Sequence, residues 1–244
     1  MILLFTDFGS NDLYAGQVKA VLHQYAPNVP VIDLLHDIPS FNVKAGAHLL
    51  AALSQRFQAG DVFFAVVDPG VGGKRDPIVM LADGQWYVGP DNGLLSVVAA
   101  RAHEARLWRI IWQPQKLSQT FHGRDLFAPI AALLAKGENA TDRLEEIFVL
   151  QNEFGRDDLA EIIYFDHYGN AITGMRANTI PHHSCIRIGS HKLALAHAPT
   201  FSAVGPEQAL WYENSLGLVE IAVNGGSAAG KLKLEVGQPV QVIA

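Results

Sequence analysis

The fold of this chain is decided by residues 61–75, which read DVFFAVVDPGVGGKR. After Asp61, residues 62–67 form an apolar run of residues that favour β-strands. Such a run is typical of a strand buried on both faces. Asp68, a proline and three glycines then follow within six residues. Since proline presets a turn position and glycine allows positive φ, we expect a tight loop at the carboxyl end of the strand. In open α/β sheets, ligands bind at the edge where such loops lie. The alternative interpretation is that this loop is an ordinary turn at the end of a strand.

Composition limits the classes of protein to consider. The 244 residues are 49% hydrophobic and 17% charged, which predicts a globular protein of one large or two small domains. The net charge is −6 and no run of Lys and Arg occurs, so a nucleic-acid partner is not expected. Cys185 is the single cysteine, which excludes an intrachain disulfide and a cysteine-based zinc cluster.

Targeting signals are not expected either. The apolar residues 2–5 are followed at once by Thr6 and Asp7, without a basic flank or a cleavage signature. No apolar run approaches the ~20 residues that span a bilayer. The sequence therefore predicts a cytoplasmic protein without a membrane partner.

Residues 1–152 alternate between strand and helix patterns with short connections. This alternation predicts an α/β domain with a mostly parallel sheet and flanking helices. An Asp83-Gly84 turn between two apolar runs predicts a hairpin. Expected strands are residues 2–5, 29–35, 61–67, 78–82, 86–88 and 107–111, and expected helices follow residues 11–12 and span 42–57, 94–101 and 130–135.

Composition changes after residue 137: residues 138–146 are polar and charged, and residues 152–158 form a charged, loop-like stretch beyond which the helical pattern fades. We place the domain boundary at residues 152–158 and expect a second domain over residues 158–244. Its short apolar runs between turn residues predict a smaller all-β domain, a barrel or a sandwich. The runs are residues 161–165, 186–188, 192–195, 218–223 and 240–243, and residues 225–230 read as a small-residue loop.

Polar residues lie in loops where ligands of α/β proteins bind, namely Asp7, Asp68, Arg75, Asp91, Asn92, His122, Arg124 and Asp125. If they converge, they form a site with carboxylates, an imidazole and a guanidinium but no built-in nucleophile. Such a set can orient a water, with His or Asp as general base and Arg holding the hydroxide. The residues alone thus favour a hydrolase or lyase that acts on a polar small molecule.

Alternatives stay open at this point. Asp7 is suited to a sugar diol, but it can equally cap the following helix or loop. Arg124 and Asp125 can form a structural ion pair that leaves only His122 facing a pocket. A metal site built from Asp68, His122 and Asp166 has no spacing signature in its favour. Dinucleotide, phosphate-loop and nucleophile-elbow motifs are absent.

Six motifs together resemble one enzyme family. They are TDFG at residues 6–9, VDPGVG at 67–72, GPDNG at 89–93, TFHGRD at 120–125, DHYGN at 166–170 and NSLGLVEIAVN at 214–224. In this order they are similar to the S-adenosyl-L-methionine (SAM) hydroxide adenosyltransferases, relatives of the bacterial fluorinase and chlorinase. The resemblance covers essentially the whole chain.

The resemblance implies water attack on C5′ of the adenosyl group of SAM, giving adenosine and methionine without a cofactor. It also implies an N-terminal α/β domain, a C-terminal β domain and a homotrimer with SAM bound between neighbouring subunits. The catalytic set of the family falls on Asp68, Arg75 and His122. Our hypothesis is that Asp68 and His122 orient and deprotonate the water and that Arg75 stabilises the hydroxide.

The resemblance also assigns binding roles. Asp7 matches the carboxylate that binds the ribose diol, and Asp166 and Ser215 match contacts to the methionine moiety. Adenine is expected at the amide of Asn170 and at the backbone of Gly225. Aromatic positions around the nucleoside, for which core packing is the alternative, are Phe41, Phe201 and Tyr212.

Departures from the relatives separate the candidate reactions. The halogenating relatives carry tyrosine at Asp68, and the fluorinase carries serine at Gly123. A carboxylate would repel a halide but can accept a proton from water. Leu216 replaces an arginine that contacts methionine, so the methionine carboxylate needs other partners here. The alternatives to a SAM hydrolase are a halogenase, a non-catalytic adenosine- or SAM-binding protein, and a metal-dependent hydrolase.

Overall fold

The computed structural model describes residues 1–189 and 194–243. The chain forms two compact units, Met1–Arg156 and Asp157–Ala244, called here the N-terminal and C-terminal units. No helix in the described part of the chain is long and apolar enough to cross a membrane.

The N-terminal unit is built around one sheet with helices. Its strands are β1 Ile2–Thr6, β2 Val31–Leu35, β3 Val62–Val66, β4 Pro77–Ala82, β5 Gln85–Pro90, β6 Ala105–Ile110 and β7 Leu144–Ile147. Its α-helices are α1 Leu13–Tyr25, α2 Val43–Leu53, α3 Ser96–Arg101 and α4 Ala128–Ala135. A π-helical turn, Gly123–Phe127, leads into α4.

The seven strands are ordered β2-β1-β3-β5-β4-β6-β7. The first four pair in parallel and the remaining pairings are antiparallel. The direction changes at the expected hairpin, where Asp83 and Gly84 both have positive φ, as a two-residue turn of this kind requires. The α/β class is therefore confirmed, with a sheet that is parallel in one half and antiparallel in the other.

Strand β3 is buried on both faces, as its sequence predicts. It lies beside β1 in a parallel register that pairs Thr6 with Val66. Because both strands end at the same level, the loops that begin with Asp7 and with Val67-Asp68 leave the same edge of the sheet. Helices α1 and α4 pack into the same hydrophobic cluster as these two strands, through residues such as Val18 and Ile130.

The described residues of the C-terminal unit form two antiparallel sheets, ordered β12-β13-β9-β8 and β11-β10-β14. Its strands are β8 Leu159–Phe165, β9 Ala171–Arg176, β10 Cys185–Ile188, β11 Ala194–Leu195, β12 Ala209–Glu213, β13 Leu218–Val223 and β14 Val240–Ile243. Part of the strand expected at 192–195 lies outside the described residues. Trp211 is fully buried in the core of this unit.

Two features of this unit differ from the sequence-based expectation. Strands β9 and β12 were not foreseen, and β9 carries Thr173 and Gly174, which interrupt its apolar pattern. The expected small-residue loop is in part a short helix, α5 Ala228–Leu232. Ser227 caps this helix, because its hydroxyl accepts the Gly230 N–H at 3.1 Å.

Candidate active site

A cavity of about 340 Å³ opens at the carboxyl ends of β1 and β3. We call it the N-terminal pocket. Four segments supply its walls: the loop before α1, the loop after β2, the loop after β3 and the segment that enters α4. Its lining residues are Asp7, Phe8, Asp12, Tyr14, Ser40, Phe41, Val66, Asp68, Val71, Thr120, Phe121, His122 and Gly123.

The glycine-rich loop after β3 folds back so that Arg75 meets Asp68. Val71 N–H donates to the Asp68 carbonyl at 3.2 Å, and Gly73 N–H donates to the Gly70 carbonyl at 2.9 Å. Gly72 has a φ of 75°, and a Cβ there would lie 2.4 Å from the Gln119 carbonyl oxygen. Only glycine therefore fits at the centre of this turn.

Arg75 joins Asp68 to His122. Its Nε lies 3.1 Å from each carboxylate oxygen of Asp68, and its Nη2 lies 3.0 Å from His122 Nδ1. The Arg75 and Asp68 side chains are only 8% and 5% exposed, and the guanidinium lies 5.3 Å from the Phe127 ring centroid. The structure thus brings together all three residues expected to be catalytic.

These contacts fix the tautomer of neutral His122. A guanidinium only donates, so Nδ1 must accept from Arg75 and the ring proton must lie on Nε2. Burial, and then the Arg75 charge, hold the pKa of His122 below its ordinary value. Within the described residues the buried Nε2 has no hydrogen-bond partner. His122 is therefore suited to donate a hydrogen bond from Nε2 to a molecule in the pocket.

Asp7 lies at the rim of the same pocket. Its Oδ2 accepts the Phe41 N–H at 3.1 Å, and Phe41 has a φ of 65°, so this bond supports a left-handed backbone. Burial raises the pKa of Asp7 above its ordinary value. The cap of α1 is Asp12, whose Oδ1 accepts the Leu13 N–H at 2.6 Å. Asp7 therefore supports the loop that contains Phe41, and Asp12 caps helix α1.

The neighbouring motif residues have structural contacts. Arg124 and Asp125 form an ion pair of 2.6 Å from Nε to Oδ1, and neither lines the N-terminal pocket. Asn92 Nδ2 donates to the Val67 carbonyl at 2.8 Å and so supports the loop that carries Asp68. The sequence left open that Arg124 and Asp125 form a structural ion pair while only His122 faces a pocket. The structure shows this arrangement.

The remaining binding candidates line a cavity of about 780 Å³ in the C-terminal unit, called here the C-terminal pocket. All six lie there, namely Asp166, Asn170, Phe201, Tyr212, Ser215 and Gly225. The other lining residues are Tyr168, Asn214, Glu220, Val223 and Gly226.

Asp166 organises one wall of the C-terminal pocket. Its Oδ1 accepts the N–H groups of Tyr168 and Asn170 at 3.0 and 2.8 Å, and its Oδ2 accepts Asn170 Nδ2 at 2.9 Å. The last bond orients the Asn170 amide. A second wall is aromatic, with the Phe201 and Tyr212 rings edge to face at 6.1 Å.

Sequence reasoning missed Glu220, a buried acid on β13. Its carboxylate accepts the Tyr212 hydroxyl and, at 3.0 Å, Asn214 Nδ2. Burial, and then the hydrogen bond to Glu220 and its charge, raise the pKa of Tyr212 above its ordinary value. The signal was present in the sequence, because a single glutamate interrupts the otherwise apolar run LVEIAV.

No group of three or more His, Cys, Asp or Glu suited to a metal ion occurs within residues 1–189 and 194–243. What the N-terminal pocket does offer is a fixed carboxylate, a hydrogen-bond donor on imidazole and an acid at the rim. That arrangement can orient and deprotonate a water molecule.

Comparison with protein families identifies two matching domains. Residues 2–144 match the SAM hydroxide adenosyltransferase N-terminal domain, and residues 160–241 match the C-terminal domain of the same family. The chain belongs to the SAM hydroxide adenosyltransferase family. The resemblance of the six motifs is thereby confirmed.

Two curated hydrolases and a fluorinase match this member of the SAM hydroxide adenosyltransferase family along nearly its whole length. The (R)-S-adenosyl-L-methionine hydrolase of Salinispora arenicola is 38% identical, covering 98% of this chain and 96% of the relative. The enzyme of the same name from Thermus thermophilus is 35% identical, covering 99% of both. A fluorinase of Nocardia brasiliensis is more distant at 26% identity, covering 99% of this chain and 96% of the relative.

Solved structures agree with this fold. The crystal structure of an uncharacterized conserved protein from Thermotoga maritima superposes with a TM-score of 0.90 at 32% identity, covering 100% of both chains. A conserved hypothetical protein from Thermus thermophilus gives a TM-score of 0.79 at 34% identity, covering 99% of both chains.

Proposed function

We propose that this protein hydrolyses SAM to adenosine and L-methionine. The observation that carries the proposal is the Asp68–Arg75–His122 cluster, which lies at a pocket in a chain of this family. Water oxygen forms a bond to C5′ while the C5′–S bond breaks, and sulfur leaves with the electron pair as a neutral thioether. Because a sulfonium is already a good leaving group, the protein mainly has to align and deprotonate the water.

The contacts support a division of labour in the cluster. Asp68 accepts the proton that water loses, and His122 donates from Nε2 to the attacking oxygen. Arg75 positions both side chains and offsets the charge of Asp68. This differs from the hypothesis based on sequence, in which His122 was a second base, because Arg75 occupies the lone pair of Nδ1.

Substrate contacts follow from the two pockets. In the proposal Asp7 binds the ribose diol and Phe41 packs against the nucleoside. The C-terminal pocket supplies Asn170 and Gly225 for adenine, Asp166 and Ser215 for methionine, and the aromatic rings of Phe201 and Tyr212. We also propose a cytoplasmic homotrimer with SAM between neighbouring subunits, a state that light scattering of the purified protein tests.

The names of the curated relatives add a stereochemical element. They are described as hydrolases of (R)-SAM, the epimer at sulfur. We extend this preference to the present chain, since these relatives align with 98% and 99% of it.

Product analysis tests the proposed function. Purified protein is incubated with (R)-SAM and with (S)-SAM, with and without chloride and with and without EDTA, and the products are separated by chromatography. Adenosine and methionine in every condition, formed faster from the (R) epimer, are the expected result. A 5′-chloronucleoside would establish a halogenase, loss of activity in EDTA a metal enzyme, and tight binding without product a binding protein.

A further inference from the structure

A chain of side-chain hydrogen bonds ends at the loop before α1, and the proposed chemistry does not use it. The register of β1 and β2 pairs Phe5 with Leu35, so the residues that follow, Thr6 and His36, lie side by side. Thr6 Oγ1 lies 2.7 Å from His36 Nδ1, and His36 Nε2 lies 3.0 Å from Asp33 Oδ1. A hydroxyl, an imidazole and a carboxylate are thus joined in the order found in nucleophilic triads.

Burial excludes a nucleophilic role for this hydroxyl. Thr6 is fully buried, and neither Thr6 nor His36 lines the N-terminal pocket, so a substrate cannot reach the hydroxyl. The other end of the chain lies at the surface, where Asp33 Oδ2 accepts Lys19 Nζ at 3.0 Å and both side chains are exposed. The chain therefore connects the surface to the loop and is not a second active site.

The partners fix the direction of each hydrogen bond in the chain. An ionised carboxylate only accepts, so the neutral His36 ring carries its proton on Nε2 and donates it to Asp33. Nδ1 then accepts the Thr6 hydroxyl, whose oxygen in turn accepts the Phe8 N–H at 3.3 Å. Because these donors all point the same way, each bond polarises and strengthens the next. The Thr6 hydroxyl is thereby held in a single orientation.

His36 contacts the loop before α1 on both sides of Asp7. Its side chain binds Thr6, and its carbonyl accepts the Gly9 N–H at 2.8 Å. The hydrogen bond from Phe8 N–H to the Thr6 hydroxyl spans Asp7 and restricts its backbone. The orientation of the Asp7 carboxylate at the rim of the pocket therefore depends on His36 and Thr6.

We propose that His36 is a positioning residue for ribose recognition, which acts through Thr6 on the carboxylate of Asp7. The proposal rests on the proposed function in one respect, namely that Asp7 binds the ribose diol. A carboxylate favours a diol only if both hydroxyls meet its oxygens, and Asp7 Oδ2 already accepts the Phe41 N–H. A small displacement of the carboxylate would therefore reduce the preference for a nucleoside with a 2′-hydroxyl over one without it.

Calorimetric titration with adenosine and with 2′-deoxyadenosine tests the proposal. Wild-type protein should prefer adenosine by about 10-fold. Thr6→Val keeps the shape of the side chain but removes the hydroxyl, so this preference should fall to within about 2-fold. Thr6→Ser keeps the hydroxyl and should retain most of the preference.

His36 offers a second pair of variants. His36→Ala removes the acceptor of the Thr6 hydroxyl and should reduce the preference as Thr6→Val does. His36→Asn places an amide oxygen near the position of Nδ1 and should restore part of it. The double variant of Thr6→Val and His36→Ala should lose no more than either alone, because both interrupt one chain. His103→Ala, at an exposed position outside the N-terminal pocket, is the control and should behave as wild type.

A merely structural role predicts a different result. If Thr6 and His36 only stabilise the fold, Thr6→Val would lower the melting temperature but leave the ratio of the two affinities unchanged, and this result would overturn the proposal. An equal loss of preference in Thr6→Ser and Thr6→Val would assign the effect to packing and overturn it too.

The Thr6 variants still decide if His36→Ala does not fold. Equal affinities of the wild type for the two nucleosides would also contradict the proposal, because Asp7 would then not read the diol. None of these measurements requires turnover, so a failure of the proposed hydrolysis would be seen separately in the product analysis.

Discussion

The two pockets use charge in opposite ways. In the N-terminal pocket the Arg75 guanidinium binds both the Asp68 carboxylate and the His122 imidazole, so the charge of Asp68 is balanced and both side chains are fixed before a ligand arrives. In the C-terminal pocket two carboxylates face a cavity with no basic side chain among its described lining residues. The first arrangement suits catalysis, which gains from preorganised groups, and the second suits recognition of a positively charged ligand.

The largest expected effect is at Asp68. Asp68→Asn keeps an oxygen that accepts from Arg75 but removes the base, so kcat should fall by about 10³-fold. Affinity for S-adenosylhomocysteine should stay within about 2-fold, since the change is expected to affect the chemical step and not binding. Steady-state kinetics and calorimetry measure the two quantities.

A matched control for this variant is Asp142→Asn, which removes the same charge at an exposed position. Its kcat should equal that of the wild type. Full activity in Asp68→Asn would show that the Asp68–Arg75–His122 cluster is structural. The N-terminal pocket would then not be distinguished from the C-terminal pocket by a catalytic role.

His122 should have the next largest effect, and two variants separate its roles. His122→Ala should lower kcat by about 10²-fold, because it removes the Nε2 donor. His122→Gln places an amide N–H near the position of Nε2 and should recover part of the loss if His122 acts as a donor. If glutamine is as poor as alanine, His122 acts as a base and the division of labour proposed above is wrong.

The pH dependence of His122 has a defined direction. Because burial and Arg75 lower its pKa from 6.5, the neutral ring persists in the folded protein below that pH. Protonation of Nδ1 would remove the acceptor that binds Arg75, so activity that depends on this contact is present above 6.5 and is lost as pH falls through the lower, folded-state pKa of His122. The acid limb of kcat/KM should have its midpoint below 6.5 in the wild type and should shift in His122→Gln.

The smallest effect is expected at Asp7. Asp7→Asn keeps an acceptor for Phe41 N–H but loses the charge that is proposed to bind the ribose diol, so adenosine should bind about 10-fold more weakly. For 2′-deoxyadenosine the same substitution should matter much less. Equal losses for the two nucleosides in a calorimetric comparison would count against the diol assignment.

Sequence predicted the N-terminal unit well because its signals are local. The apolar run of β3, the Asp83-Gly84 turn and the glycines of the following loop each specify a structure within a few residues. The position of Arg75 beside Asp68 is also local, since the two are separated by one turn-rich loop. The contact from Arg75 to His122 was suggested only by family resemblance, because no sequence pattern joins residues 47 positions apart.

The C-terminal pocket was harder to predict. Its short strands are broken by residues such as Gly174, and pairing with neighbouring strands, not local propensity, holds them. Glu220 is recognisable in the sequence as a lone acid in an apolar run, but its partners on β12 and in the following turn are seen only in the fold. Only the fold shows that its charge has no basic partner among the described residues of the pocket.

The most direct test of the central claim is hydrolysis of SAM in water labelled with ¹⁸O, followed by mass spectrometry of both products. If water attacks C5′, the label must appear in the 5′-hydroxyl of adenosine and must be absent from methionine. Unlabelled adenosine, label in methionine, or no cleavage of either SAM epimer would contradict the account.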